Sequence, residues 1–148
     1  SATRFSPDSS LTRAMLAQIL YNRAGKPTVK DKSAFTDVAN DAWYADAVIW
    51  AYGEGIVSGV GGGKFAPDAS ITREQLAAML YRAAGSPEVQ ETTLTFNDAS
   101  KVSSYAKSAI CWAVEEGIVT GKGGNRLDPT GTATRAEVAQ MLARFEQS

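Results

Sequence analysis

The sequence contains no histidine, a single cysteine (Cys111) and no uninterrupted apolar run longer than a few residues. Histidine is the commonest general base and the commonest metal ligand, so its absence removes most catalytic triads and zinc sites. One cysteine can form neither an internal disulfide nor a thiolate metal site, and the apolar neighbours of Cys111 favour a buried thiol over a nucleophile. A bilayer span needs roughly 20 apolar residues in a row, so we expect no membrane insertion.

The chain also lacks an excess of charge of either sign. Its 15 basic and 16 acidic residues give a net charge of −1 over 148 residues. Proteins that bind nucleic acid usually carry a basic surplus that neutralises phosphates, so no nucleic-acid partner is expected. The first residue is Ser1 and no signal peptide precedes it, so we interpret the chain as a mature or excised segment.

What the sequence does contain is an internal repeat. One element, here called element B, occurs as FSPDSSLTRAMLAQIL from Phe5, FAPDASITREQLAAML from Phe65 and LDPTGTATRAEVAQML from Leu127. Apolar residues at helical spacing predict a helix in each copy. Thr72 with Gln75, and Thr134 with Glu137, have the spacing of a capping box, in which two residues cap each other at a helix start.

A second element, here called element A, occurs as WYADAVIWAYGEGIVSG from Trp43 and YAKSAICWAVEEGIVTG from Tyr105. It also predicts a helix, with Trp50 and Trp112 on the apolar face that enters the core. Gly55 and Gly117, each followed by isoleucine, are typical of the left-handed residue that ends a helix. The order along the chain is B, A–B, A–B. No alternating strand pattern of useful length is present, so we predict an all-α fold.

These motifs together resemble the S-layer homology (SLH) domain. The resemblance is carried by Phe-x-Asp-Val, Trp-Tyr-x-x-Ala-Val, Gly-Ile-Val-x-Gly, Phe-x-Pro-Asp and Thr-Arg-x-x, which follow one another in that order from Phe35. It covers nearly the whole chain, from Phe5 to about Phe145. It implies a pseudo-threefold array of helix–loop–helix repeats around a central helical bundle, with the first repeat incomplete. On this basis residues 1–30 are the second half of repeat 1, 31–90 are repeat 2 and 91–148 are repeat 3, together one domain.

The resemblance also implies a function. SLH domains anchor surface proteins non-covalently to an anionic secondary cell-wall polysaccharide, typically through a pyruvylated amino sugar, which implies an extracellular location at the bacterial cell wall or S-layer. The family binds in grooves between repeats, with the arginine of Thr-Arg-Ala-Glu, an aromatic residue that starts element A, and the glycine loop. The matching residues here are Arg13, Arg73, Arg135, Trp43, Tyr105, Gly59, Gly61, Gly121 and Gly123. We expect no enzymatic activity, metal or cofactor.

Several of these residues have a second interpretation. A cation in the first turn of a helix lowers helix stability by roughly 0.3–1 kcal/mol, so an arginine there in all three copies indicates a functional or structural role. They bind an anion beside free helix N–H groups, or they pair with an acid such as Asp68 or Asp128. The two aromatic residues stack on a sugar or pack at a helix start. The glycines adopt the positive φ that a turn needs, or they let a ligand approach the backbone closely. Asp37 and Asp98 are more typical of turn acceptors than of catalytic acids.

Two other functions stay open. The same grooves could hold neighbouring protein chains in a lattice, and a pair of carboxylates could cleave a glycan. Because the chain opens on element B, we expect the missing element A to lie upstream in a longer parent protein. The apolar residues Leu16, Ile19 and Leu20 would then lack a packing partner. This predicts self-association, or a partner chain in the place of the missing helix.

Overall fold

A computed structural model of the chain describes residues 9–89, 96–120 and 126–147. In these residues, five α-helices, two short 3₁₀ helices and isolated β-bridges make up the secondary structure, without strands. The α-helices are α1 (Arg13–Arg23), α2 (Ala45–Gly53), α3 (Arg73–Ala83), α4 (Lys107–Glu115) and α5 (Arg135–Gln147). The 3₁₀ helices are Ala99–Lys101 and Ser104–Ala106. The predicted all-α fold class is confirmed. None of the helices in the described ranges is long and apolar enough to cross a bilayer.

The element B helices start where their capping residues predict. At α3, the Thr72 hydroxyl accepts the Gln75 N–H at 3.2 Å, and the Gln75 side chain accepts the Thr72 N–H at 3.0 Å. Thr134 and Glu137 form the same two bonds at α5, at 3.2 and 2.9 Å. Both capping boxes are therefore confirmed. Helix α1 has only the threonine half, because its third residue is Met15 and a methionine side chain cannot return the bond.

The element A helices end at the predicted glycines. Gly55 and Gly117 have φ values of 75° and 74°, in the left-handed region. After α2, the Ile56 N–H donates back to the Ala51 carbonyl at 2.8 Å, and the equivalent bond after α4 is also 2.8 Å long. This is the Schellman pattern, in which an apolar residue after the glycine folds back onto the helix. Ile56 and Ile118 are accordingly buried.

The helices pack as two compact units. The first unit is Leu11–Ser70, and the second comprises the described residues within 1–10 and 71–148. In the first unit α1 packs against α2, and in the second α3 packs against α4 and the 3₁₀ helix before it. Each unit thus pairs the element B of one repeat with the element A of the next. The predicted repeat boundaries and the pseudo-threefold array stay predictions.

Equivalent aromatic pairs mark the two cores. The ring centroids of Tyr21 and Trp50 lie 5.7 Å apart in the first unit, and those of Tyr81 and Trp112 lie 5.6 Å apart in the second. Each tyrosine hydroxyl also donates to the carbonyl of the proline that follows its helix, at 2.6 and 2.7 Å. Trp112 and Cys111 are buried as predicted, whereas Trp50 is half-buried.

One expectation about α1 is wrong. Leu16 and Leu20 were expected to lack a packing partner, yet both are buried and Ile19 is half-buried. The reason is that α1 packs against α2 within the first unit. The apolar stripe on which predicted self-association depends is therefore covered at two of its three positions.

Candidate functional site

The first N–H group of each element B helix forms a backbone hydrogen bond with a residue that is distant in the sequence. The N–H of each first-position arginine donates to a carbonyl in the loop that precedes the helix of another copy of element B, at an equivalent place each time. These bonds join Arg13 to Ala69, Arg73 to Gly131 and Arg135 to Ser9, at 2.9, 3.0 and 2.8 Å. In α1 and α3 the next N–H is bonded too, to Pro67 and Pro129. The hypothesis that free helix N–H groups bind an anion is therefore wrong at α1 and α3.

Arg13 is enclosed within the first unit, with only 6% of its surface exposed. Its Nε donates to the Phe65 carbonyl at 2.8 Å. Its Cζ lies 4.7 Å from the centroid of the Phe65 ring, which is the geometry of a cation–π contact. Phe65 itself is fully buried. Arg13 therefore holds the start of α1 against the loop that contains Phe65.

Arg73, 7% exposed, is enclosed by two carboxylates in the second unit. Its Nε donates to Glu137 Oε2 at 3.1 Å and its Nη1 donates to Asp128 Oδ2 at 3.0 Å. Its Nη2 contacts both oxygens of Glu137. Burial raises the pKa of Glu137, but hydrogen bonds from Arg73 and Thr134 and the charge of Arg73 outweigh it, so the pKa lies below its ordinary value. The alternative in which this arginine pairs with Asp128 is confirmed.

A small cavity adjoins the ion pair of Arg73 and Glu137. Its volume is about 50 Å³, and its apolar lining includes Ile110, Leu127 and Met141. A few water molecules fit such a volume, whereas pockets for larger organic ligands measure several hundred Å³. Arg73 therefore does not lie at the floor of a pocket the size of a sugar.

Arg135 is the most accessible of the three arginines. It is half-buried, and its Nε lies 3.4 Å from the Ser10 carbonyl oxygen, a long hydrogen bond. The side chain can therefore reach a ligand with less rearrangement than Arg13 or Arg73. A direct contact with an anion stays a prediction for all three.

The two candidate aromatic residues are exposed. Trp43, two residues before α2, is 65% exposed, and Tyr105, in the 3₁₀ helix before α4, is 52% exposed. The Trp43 ring has an edge contact with Tyr44, with centroids 5.1 Å apart. Tyr105 directs its hydroxyl toward Glu74, at 3.4 Å from Oε2. Stacking on a sugar needs an accessible ring, and both side chains are exposed enough to offer one.

The candidate glycines differ from each other. Gly59 has a φ of 87°, and a Cβ there would lie 2.7 Å from Phe35 Cε1 and 2.8 Å from the Lys64 carbonyl oxygen. Gly61 has a φ of 105°, with open space around a Cβ position. Gly59 therefore serves the turn and its packing, whereas the backbone at Gly61 is approachable. Gly121 and Gly123 lie outside the described residues.

Asp37 and Asp98 are acceptors for backbone N–H groups. The Asp37 carboxylate accepts the N–H of Phe65 and of Ala66, both at 2.8 Å, and Asp98 makes the two equivalent bonds in the second unit, also at 2.8 Å. Burial raises the pKa of each carboxyl, but these backbone bonds lower it more, so both pKa values lie below the ordinary value. Both aspartates are therefore backbone acceptors, as expected, but these donors lie 28 to 30 positions further along the chain and not in a local turn.

Sequence reasoning missed Glu74, a buried carboxylate at the second position of α3. The equivalent residues in the other copies of element B are Ala14 and Ala136. A charged residue at a position where the other copies carry alanine was the available signal. Across the part of the chain that the structure describes, no cluster of three or more acidic or cysteine side chains is arranged to hold a metal ion.

Comparisons with known proteins agree with these features. A family model described as the S-layer homology domain matches residues 34–77 and 95–139. The chain is 34% identical over 146 residues to the surface-layer 125 kDa protein of Lysinibacillus sphaericus, which covers 95% of this chain and 12% of that protein. It is 32% identical over 146 residues to the S-layer protein sap of Bacillus anthracis, covering 97% and 17%.

Relatives with other names share the same region. The exoglucanase XynX of Acetivibrio thermocellus is 33% identical over 144 residues, covering 95% of this chain and 13% of that protein. The chain thus spans less than a fifth of the length of each of these relatives. Among solved structures, an undecaheme cytochrome from the S-layer of Carboxydothermus ferrireducens is similar at 24% identity and a TM-score of 0.47, over 98% of this chain and 22% of that one. That likeness is too low to support a conclusion.

Proposed function

Because this chain belongs to the S-layer homology domain family, we propose that it binds an anionic secondary cell-wall polysaccharide non-covalently and so anchors its parent protein. Surface anchoring is the role of the family, and family membership indicates a location at the bacterial cell surface, in the cell wall or S-layer. The polysaccharide, and a pyruvylated amino sugar as its recognised unit, belong to the proposal.

The observation that carries the proposal is the exposure of Trp43 and Tyr105 at equivalent positions, each just before an element A helix. Most large apolar side chains of the described residues are buried, so an exposed ring at the same place in each of two copies indicates a binding surface on each unit. An aromatic face offers a flat apolar surface, which suits the apolar face of a sugar ring. Each unit contributes one such ring.

We assign the direct contact with an acidic substituent to Arg135. Its guanidinium presents paired donors that match a carboxylate, and it is less enclosed than the other two arginines. Arg13 and Arg73 support the surface from inside their units, because their donors are engaged by the Phe65 carbonyl and by two carboxylates. A polymer that repeats its sugar engages more than one such site, so its affinity exceeds that of one sugar unit.

Sedimentation of the chain with purified cell walls, before and after extraction of the secondary polysaccharide, tests the proposal. Binding that disappears with extraction supports the polysaccharide. Unchanged binding would contradict it and favour the alternative, a module that holds neighbouring proteins in a lattice. Release of sugars from the walls would instead reveal a hydrolase, although the engagement of Asp37 and Asp98 by backbone N–H groups favours binding over cleavage.

Variants locate the surface. Trp43→Ala and Tyr105→Ala should each weaken wall binding by about 1–2 kcal/mol, the value of the apolar area that a half-covered ring buries. Arg135→Ala should weaken it by about 1.5–3 kcal/mol, the range for a hydrogen bond to a charged group. Tyr52→Ala is the matched control, since Tyr52 is an exposed aromatic residue at the other end of α2. Equal losses in Tyr52→Ala and Trp43→Ala would show that the assigned surface is wrong.

A further inference from the structure

Glu74 connects the start of α3 to the segment that carries Tyr105. Only 4% of Glu74 is exposed, although its side chain is acidic. Its Oε1 accepts the Ser103 N–H at 2.9 Å, and its Oε2 accepts the Ser103 hydroxyl at 2.6 Å and the Tyr105 hydroxyl at 3.4 Å. All three donors belong to one short stretch just before α4. A single buried side chain of α3 thus binds this stretch at three points.

The three bonds differ in strength. Both bonds from Ser103 have ordinary lengths, and bonds to an ionised carboxylate are stronger than neutral ones. The contact with Tyr105 is long and adds less. Ser103 immediately precedes the 3₁₀ helix Ser104–Ala106, which contains Tyr105 and packs against α3. Glu74 therefore fixes the backbone from which the Tyr105 ring projects, and its bond to the phenol restrains the ring itself.

The first unit provides an internal comparison. At the position equivalent to Glu74 it has Ala14, which is buried, and at the position equivalent to Tyr105 it has Trp43. Trp43 has an edge contact with Tyr44. The carboxylate occurs in the copy whose aromatic residue carries a hydroxyl, and an alanine occurs in the copy whose aromatic residue carries none. This pairing indicates that the acid serves the tyrosine.

We propose that Glu74 is a positioning residue for polysaccharide binding, because it holds Tyr105 with its hydroxyl turned inward and its ring face open to a sugar. The inference rests on the proposed function. Fixing a side chain in its bound orientation before the ligand arrives lowers the entropy cost of binding. Loss of Glu74 should therefore weaken binding through Tyr105 and leave the ring itself intact.

The test combines wall binding with ¹⁹F NMR of the whole chain labelled with 3-fluorotyrosine, in which Tyr105→Phe identifies the Tyr105 signal. Glu74→Gln should shift or broaden that signal and weaken wall binding about three- to tenfold, the loss expected for the hydrogen bonds removed. Glu74→Gln combined with Tyr105→Ala should bind no more weakly than Tyr105→Ala alone. Glu54→Gln is the control, because it removes an exposed acid at the end of α2 and should change neither readout.

Ser103→Ala tests the same contact while the Glu74 charge is kept, since it removes only the hydroxyl bond. It should move the Tyr105 signal in the same direction by a smaller amount. Wall binding by the wild type, with an unchanged Tyr105 signal in folded Glu74→Gln and Ser103→Ala, would overturn this inference alone. Additive losses in the double variant would overturn it too. A wild type that does not bind walls would overturn the proposed function and this inference with it.

Discussion

Arg13 and Arg73 occupy the same position of the same motif, yet their surroundings differ. Arg13 donates to a backbone carbonyl and lies over a phenylalanine ring, whereas Arg73 is held by Asp128 and Glu137. Both are almost fully buried. These two copies of the repeat therefore share a buried guanidinium at the helix start, but the groups that contact it differ.

The loops facing the two arginines explain the difference. Ala66 and Asp128 are equivalent, and both have left-handed backbones, with φ values of 59° and 52°. Three residues later come Ala69 and Gly131. A Cβ on Gly131 would lie 2.3–2.6 Å from the Asp128 carboxyl atoms. The glycine thus makes room for the acid that binds Arg73, whereas the first unit has alanine at both equivalent positions, Ala66 and Ala69.

The largest contrast is expected from removing the two arginines. Arg73→Ala leaves two carboxylates without their cation and should lower the free energy of unfolding by about 3 kcal/mol, the lower end for a broken buried pair, because both carboxylates are partly exposed. Arg13→Ala removes contacts that include the hydrogen bond to the Phe65 carbonyl and the cation–π contact, and should cost about 2 kcal/mol. Urea denaturation of both variants and of the wild type measures the two losses in the free energy of unfolding. Equal losses would show that the carboxylates contribute nothing beyond the buried guanidinium.

The two aspartates should behave alike, since their geometry is the same in both units. Asp37→Asn and Asp98→Asn each replace a carboxylate that accepts two N–H groups, and should each cost about 2 kcal/mol. The folded-state pKa values of both are lowered, so the stability they contribute is present above about pH 4 and is lost as pH falls through the folded pKa. Urea denaturation between pH 7 and 3 should show a flatter acid dependence in the variants. A clear difference between them would break the equivalence of the two units.

Gly131→Ala should lower the free energy of unfolding by about 1 kcal/mol, because the new methyl group displaces Asp128 from Arg73. In an Asp128→Ala background the same change should cost almost nothing, since the first unit already has alanine at both equivalent positions, Ala66 and Ala69. A double-mutant cycle measures this coupling. An equal cost of Gly131→Ala in both backgrounds would mean that the backbone alone requires glycine there.

The smallest expected effect concerns the capping boxes. Met15→Gln should complete the box of α1 and raise stability by roughly 0.5 kcal/mol, whereas Gln75→Met should remove the box of α3 and lower it by a similar amount. Thermal unfolding followed by circular dichroism compares the two with the wild type. The interpretation fails if the reciprocal changes have the same sign.

Much of the fold follows from local sequence signals. Thr72 and Gln75 interact within one helical turn, and Gly55 is the residue that tolerates the left-handed backbone needed to end α2. The candidate site was less predictable. The sequence predicts Glu137 as a capping residue, but not its ion pair with Arg73. That pair joins residues 64 positions apart, and no spacing of residues along the chain predicts it. Glu74 likewise acts on Ser103 from 29 positions away.

The sequence by itself determined the repeat, the starts and ends of the helices, and the family, because each depends on residues within a few positions of one another or on motifs in a fixed order. The tertiary structure decided that Arg73 meets Asp128 and Glu137, that Trp43 and Tyr105 stay exposed, and that Glu74 contacts Ser103 and Tyr105. These outcomes depend on contacts between segments that are distant in the sequence. Two copies with nearly the same motif make different contacts, because single residues such as Asp128 and Glu74 change which groups are available to a buried side chain. Almost all buried polar groups in a folded protein have a hydrogen-bond partner, but the identity of that partner depends on the tertiary structure.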